Sequence, residues 1–147
     1  MRYSIRLGET PDLAASEFVR GQLRAYNLAH TGETAYQDLQ ILARDEQGEI
    51  IGGLLGRIQW DWLEVGILWV AEHARGAGLG SALLRAAEAE ARRANAYGAT
   101  LDTAGWQALG FYLKHGYHVF GELENRPVGF THYYLRKTFT AGGAEAE

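Results

Sequence analysis

Polar and apolar residues alternate along RYSIRL (2–7), the pattern of a strand with one buried face. Thr10 followed by Pro11 reads as an N-cap and a first helical position. Leu13, Phe18 and Tyr26 then share one broad stripe, which predicts a helix over about residues 11–27. LAHTGETAYQ (28–37) carries turn chemistry without a clear period and reads as loop or a short helix. LQILARD (39–45) and EIIGGLLGRIQW (49–60) flank the turn DEQG as a hairpin. WLEVGILWV (62–70) is a third strand, too apolar for an exposed edge.

From Leu79 the period changes. Leu79, Leu83, Leu84, Ala87 and Ala91 fall on one face of a helix that ends near Tyr97 and Gly98. ATLDT (99–103) predicts a short strand, and GWQALGFYLKHG (105–116) a short helix closed by Gly116. YHVFGEL (117–123) and FTHYYLRKTF (130–139) follow as strands joined by ENRPVG. The tail TAGGAEAE (140–147) has no apolar pattern and is expected to be disordered. Antiparallel strands, one central β-α-β crossover and antiparallel strands again predict an α/β chain of the α+β type. Its mixed, mostly antiparallel sheet would have seven strands with helices on both faces, in a single domain over residues 1–139.

Bulk properties narrow the function classes. The chain has 147 residues, 47% of them apolar and 22% charged, with a formal net charge of −4, so no chain-wide basic field favours nucleic acid. It contains no cysteine, which removes disulfides, thiolate metal sites and covalent thiol chemistry. MRYSIRLGETP lacks the apolar core of a signal peptide, and the longest apolar runs are far shorter than the roughly 20 residues of a membrane span. A cytoplasmic protein with neither a membrane nor a nucleic-acid partner is the expectation; a homodimer is left open.

Chemistry concentrates in VAEHARGAGLGSALLRAAEAEARR (70–93), where Gly76, Gly78 and Gly80 stand at the doorstep of a helix. Glycine permits positive φ and close backbone approach to a ligand. A helix N-terminus adds unpaired N–H groups and the positive end of its dipole. With the Arg75 guanidinium and the Ser81 hydroxyl, residues 75–81 read as a pyrophosphate cradle, against the alternative of glycines that merely relieve crowding. No Gly-Lys-Ser/Thr follows, so the P-loop pattern is absent. A Rossmann dinucleotide site is the more serious rival, since Asp102 ends the next strand. Its G-x-G-x-x-G spacing and second β-α-β-α-β half are missing, however.

At R-G-A-G-L-G the chain resembles the GNAT superfamily of acyl-CoA-dependent N-acetyltransferases, whose signature is Gln/Arg-x-x-Gly-x-Gly/Ala at a strand-to-helix junction. Arg75, Gly78 and Gly80 match it. Q-A-L-G-F-Y-L-K-H-G-Y (107–117) is similar to the family's late A-x-x-F-Y-x-x-x-G-F/Y segment. The resemblance is strongest over 62–121 and departs at Gly105, where many members carry an asparagine that helps hold the cofactor. It implies a central acyl-CoA-binding crossover with acetyl-CoA as cosubstrate. The backbone of Leu68, Trp69 and Val70 would pair with the pantetheine arm, and Arg75, Gly76, Ala77, Gly78, Leu79, Gly80 and Ser81 would hold the pyrophosphate. No metal is implied.

The resemblance also implies that Tyr112 protonates the departing thiolate, against the plainer reading of a core tyrosine beside Leu109 and Leu113. Glu64 is the candidate base: strict alternation along the strand would put it on one face with Gly66, Leu68 and Val70. A solvated residue near the Trp60-Asp61-Trp62 turn is the equal alternative, and His73 is a second candidate base. His115, His118 and His132 are scattered and suggest no metal. The implied activity is direct acetyl transfer from acetyl-CoA to a primary amine of a small molecule or peptide. Residues 20–37 and 121–130 would shape the acceptor site, and Trp60, Trp62 and Trp69 either wall it or pack elsewhere. A CoA-binding regulatory module without catalysis, or the Rossmann protein, are the alternatives.

Overall fold

The structure, a computed structural model, describes residues 1–139; the tail over 140–147 lies outside the described residues. The chain divides into two compact units, Met1–Thr34 and Ala35–Glu147.

The first unit is built on helix α1 (Leu13–Thr31), which buries none of its side chains. Asp12, not Thr10, is its N-cap: the carboxylate accepts from the Ala15 N–H at 3.0 Å. The helix runs four residues past the predicted end and stops at Gly32, whose φ of 67° takes the chain out of the helical region. Residues 2–7 form no strand and their large apolar side chains are exposed. Alternation makes a segment suited to a sheet, but it does not by itself supply the partner that a strand's backbone groups need.

The second unit holds the sheet, which among the described residues has six strands in place of the expected seven. They are β1 (Tyr36–Arg44), β2 (Ile50–Gln59), β3 (Trp62–Val70), β4 (Gly98–Ala104), β5 (His118–Glu124) and β6 (Thr131–Thr138), in spatial order β1-β2-β3-β4-β6-β5. Only β3 and β4 are parallel, joined by the crossover helix α2 (Leu79–Arg93); the other pairs are antiparallel. A short helix α3 (Leu109–Lys114) links β4 to β5.

Leu83, Leu84, Ala87 and Ala91 of α2 pack against Leu54 and Ile58, Leu63 and Val65, Ala99 and Leu101, and Leu135 from four neighbouring strands. Tyr112 of α3 and Tyr117 join the same cluster. Glu88 also faces inward: its carboxylate meets the Lys137 ammonium at 2.8 Å with both side chains almost wholly buried. This pair ties α2 to β6.

Candidate active site

β3 carries the feature that organises the site. Its register with β2 pairs Ile67 with Leu55 and Val65 with Gly56, so Gly66 is an extra residue, a β-bulge. The bulge resets the alternation. Residues directly opposite on antiparallel strands share a face, so Leu63, Val65, Leu68 and Val70 lie with Ile58, Gly56, Leu54 and Gly52 on the face covered by α2. Glu64, Ile67 and Trp69, opposite Arg57, Leu55 and Gly53, lie on the other. Glu64 therefore does not share a face with Leu68 and Val70, a correction to the strict-alternation reading.

The same bulge ends the parallel pairing. β3 and β4 are in register from Trp62↔Gly98 to Val65↔Leu101, and no pairs follow, although β3 continues to Val70 and β4 to Ala104. The two strands splay. The edge of β3 from Gly66 to Val70 thus faces a gap with backbone groups unpaired by β4 on that side, the Val70 carbonyl being taken by Arg75.

At the end of β3, Arg75 folds back, and its Nε donates to the Val70 carbonyl at 3.1 Å. Gly76 and Gly78 follow with φ of 83° and 84°, and a Cβ on either would stand in open space. Crowding does not account for these two glycines; the left-handed backbone does. Gly78 is the N-cap of α2 and no side chain caps the helix. The first intrahelical bond runs from the Ala82 N–H to the Gly78 carbonyl, so the N–H groups of Leu79, Gly80 and Ser81 have no acceptor within the helix. The Ser81 hydroxyl is engaged elsewhere, 2.9 Å from His115 Nε2, which leaves its backbone N–H as the group without an acceptor in the helix.

A cleft of about 680 Å³ opens between the splayed strand and the glycine turn at the start of α2. Its walls include Leu68, Trp69 and Val70, Arg75, Gly76, Gly78, Leu79, Gly80 and Ser81, and Tyr112. These are residues the sequence singled out, Ala77 and Glu64 apart, now brought to one place. Trp106, Gln107 and Phe111, with Ala74 and Ala108, complete the wall, and the sequence reading assigns none of them to the site. The Gln107 side-chain oxygen accepts from the Ala104 N–H at 2.8 Å and from the Thr103 hydroxyl at 3.2 Å, and so fixes the end of β4 beside Gly105. Trp106 packs edge-on against Phe130, centroids 4.7 Å apart. Trp106 has no local signal, because its position follows from how the loops after β4 and β5 meet, whereas the Gln107 contacts are to Thr103 and Ala104 close by in sequence.

Tyr112 is buried, with Phe111 and Tyr117 edge-on to its ring at 5.2 and 5.8 Å. Burial raises its phenol above the ordinary value, so at neutral pH it holds its proton. Glu64 forms an ion pair with Arg57, Oε2 to Nε 2.6 Å, which raises the guanidinium further above its high ordinary value. His73 lies in a short 3-10 turn over Glu72–Ala74, outside the cleft wall. Among the described residues no group of three or more His, Asp or Glu is placed to hold a metal ion, and no helix is long and apolar enough to cross a membrane.

A sequence profile of the Acetyltransferase (GNAT) family matches residues 10–117. The chain belongs to this family. It is 38% identical over 133 residues to an acetyltransferase of Agrobacterium fabrum, covering 90% of this chain and 97% of that one. It is also 46% identical over 93 residues to the blasticidin-S acetyltransferase of Streptomyces morookaense, covering 63% of this chain and 68% of that one. Among solved structures, a candidate acetyltransferase from Agrobacterium tumefaciens superposes with a TM-score of 0.87 at 36% identity, covering 93% of this chain and all of that one. An acetyltransferase from Bacillus cereus superposes with a TM-score of 0.82 at 28% identity, covering 91% of this chain and 98% of that one. The protein is thus an acyl-CoA-dependent acetyltransferase of the GNAT family.

Proposed function

We propose that this GNAT enzyme moves the acetyl group of acetyl-CoA directly to a primary amine of a small cationic molecule or peptide, in a ternary complex. One observation carries the reading. The parallel pairing of β3 and β4 ends at Val65 and Leu101 while both strands run on, and the cleft beside that gap joins a strand edge, an anion cradle and a protonated phenol.

The residues present fit acetyl-CoA. The free N–H groups at the start of α2, the positive-φ glycines and four further N–H donors of Arg75 suit a diphosphate. The amide-bearing pantetheine arm suits the exposed edge at Leu68–Val70, where a backbone N–H would also stabilise an oxyanion on the thioester carbon. When bound, the cofactor supplies an activated acetyl group. Tyr112, kept neutral by burial, would give its proton to the sulfur as the carbon–sulfur bond breaks.

The acceptor reading draws on similarity to a blasticidin-S acetyltransferase and on a fold likeness to a Bacillus anthracis protein described as a streptothricin acetyltransferase in complex with acetyl coenzyme A, 21% identical with a TM-score of 0.64. Both suggest amines on small cationic compounds. Thiol release from acetyl-CoA across a primary-amine panel that includes blasticidin S and streptothricin tests the reading. We expect turnover with one or more amines; acetyl-CoA binding without turnover on any of them would favour a regulatory module instead.

A further inference from the structure

On the sheet face opposite α2 lies a polar cluster that the reading above does not use. Asp102 is the first residue of β4 beyond the last parallel pair, so it borders the gap. Its carboxylate Oδ2 lies 2.6 Å from Nε2 of His132, which stands diagonally across on β6, where Ala104 is the register partner of His132 and Tyr134 that of Asp102. The His132 side chain is only 13% exposed while that of Asp102 is 52% exposed, so an oriented imidazole is backed by a carboxylate that solvent still reaches. Tyr134 packs edge-on to the imidazole at 5.4 Å, and its hydroxyl accepts from Arg126 of the β5–β6 loop. This is more order than a surface histidine needs.

Proton transfer from the amine must happen on the side of the thioester that the cofactor arm leaves open. The cradle and Tyr112 occupy the α2 side, so an amine arrives from the side of Trp69, Glu64, Asp102 and His132. The Glu64 carboxylate is committed to Arg57. His132, bonded through Nε2, keeps Nδ1 as a proton acceptor, and Asp102 stabilises the imidazolium that results.

We propose that Asp102 and His132 form the proton-accepting pair for the acceptor amine, an inference that rests on the acetyl-transfer reading. The amine nitrogen forms a bond to the thioester carbonyl carbon and its surplus proton passes to His132 Nδ1. The carbon–sulfur bond then breaks, and the sulfur takes the Tyr112 proton. Exchange with water carries a proton from the imidazolium out and one back to the phenolate, so the net products are the acetamide and free CoA thiol.

The groups around His132 are Asp102 from β4, Tyr134 on its own strand and Arg126 from the β5–β6 loop; its register partner on β5 is the uncharged Leu123. The test compares wild type with His132→Ala and Asp102→Asn by thiol release from acetyl-CoA on the amine panel, against pH, with acetyl-CoA affinity measured separately by calorimetry. His132→Ala should lose about 100-fold or more in kcat at neutral pH. Acetyl-CoA affinity should stay within a few-fold, and part of the loss should be recovered at high pH, where solvent leaves the amine neutral. Asp102→Asn should shift the acidic limb of the pH profile while still binding acetyl-CoA. An active wild type with a His132→Ala variant within about threefold of it at every pH overturns the inference while leaving the transfer reading intact. A wild type silent on the whole panel overturns both.

Discussion

Gly56 on β2 and the Glu64 carbonyl on β3 approach so closely that a Cβ on Gly56 would overlap the carbonyl oxygen. That contact sits beside the Gly66 bulge, where β3 also parts from β4. A side-chain-free residue on β2 therefore permits the geometry that opens the gap.

Gly56→Ala should push β3 away at the bulge and cost about 1–3 kcal/mol of stability, as overpacking does. On the proposed binding mode the bulge shapes the edge that takes the pantetheine arm, so acetyl-CoA affinity should fall in the same variant. Denaturant unfolding and calorimetric titration check both. Unchanged values in both would mean that the close approach does not set the splay.

Tyr112→Phe should lower kcat by about 100-fold with little change in acetyl-CoA affinity, since it removes one proton donor and almost no packing volume. Steady-state kinetics with any competent amine, beside calorimetry, separates the two effects. Turnover near wild type would remove the acid role.

The same residue predicts a pH dependence of stability. Burial raises the phenol in the folded protein, so the native state keeps a proton that an unfolded tyrosine releases near its ordinary pKa of about 10. Above that pH the unfolded chain binds fewer protons, and stability falls as pH rises. The contribution is fully present below the unfolded value. Urea midpoints measured at about pH 8.5 and about pH 11 should drop less in Tyr112→Phe than in wild type. Equal drops would show that the phenol is not held neutral.

Glu88→Ala should cost about 3–5 kcal/mol, because it leaves the Lys137 ammonium buried without its carboxylate. Thermal unfolding would read this as a lowered Tm. By contrast, Arg57 and Glu64 lie half exposed, and breaking their pair should change stability little.

Much of this was legible in the sequence, and the exceptions share a cause. The glycine doorstep, the crossover helix and the Phe111-Tyr112 segment are local patterns, and the structure places each near its predicted position. Strict alternation puts Glu64 on one face with Leu68, yet Gly66 inserts a bulge between them. A glycine inside a strand is a known signal for such a bulge, but not for which way it resets the faces. Asp102 and His132 are 30 positions apart and meet only because β4 and β6 are neighbours. RYSIRL alternates as a strand does, yet residues 2–7 form no strand, since alternation alone does not provide a pairing partner.

On the proposed binding mode, the amides from Gly76 to Ser81 hold the diphosphate of acetyl-CoA while its arm follows the free edge of β3. A crystal structure of the protein with acetyl-CoA measures this directly. It should place the diphosphate against those amides, the pantetheine along Leu68–Val70 and the sulfur within hydrogen-bond reach of the Tyr112 hydroxyl. A nucleotide bound elsewhere, with the amides of the cradle turned to other partners, would contradict it.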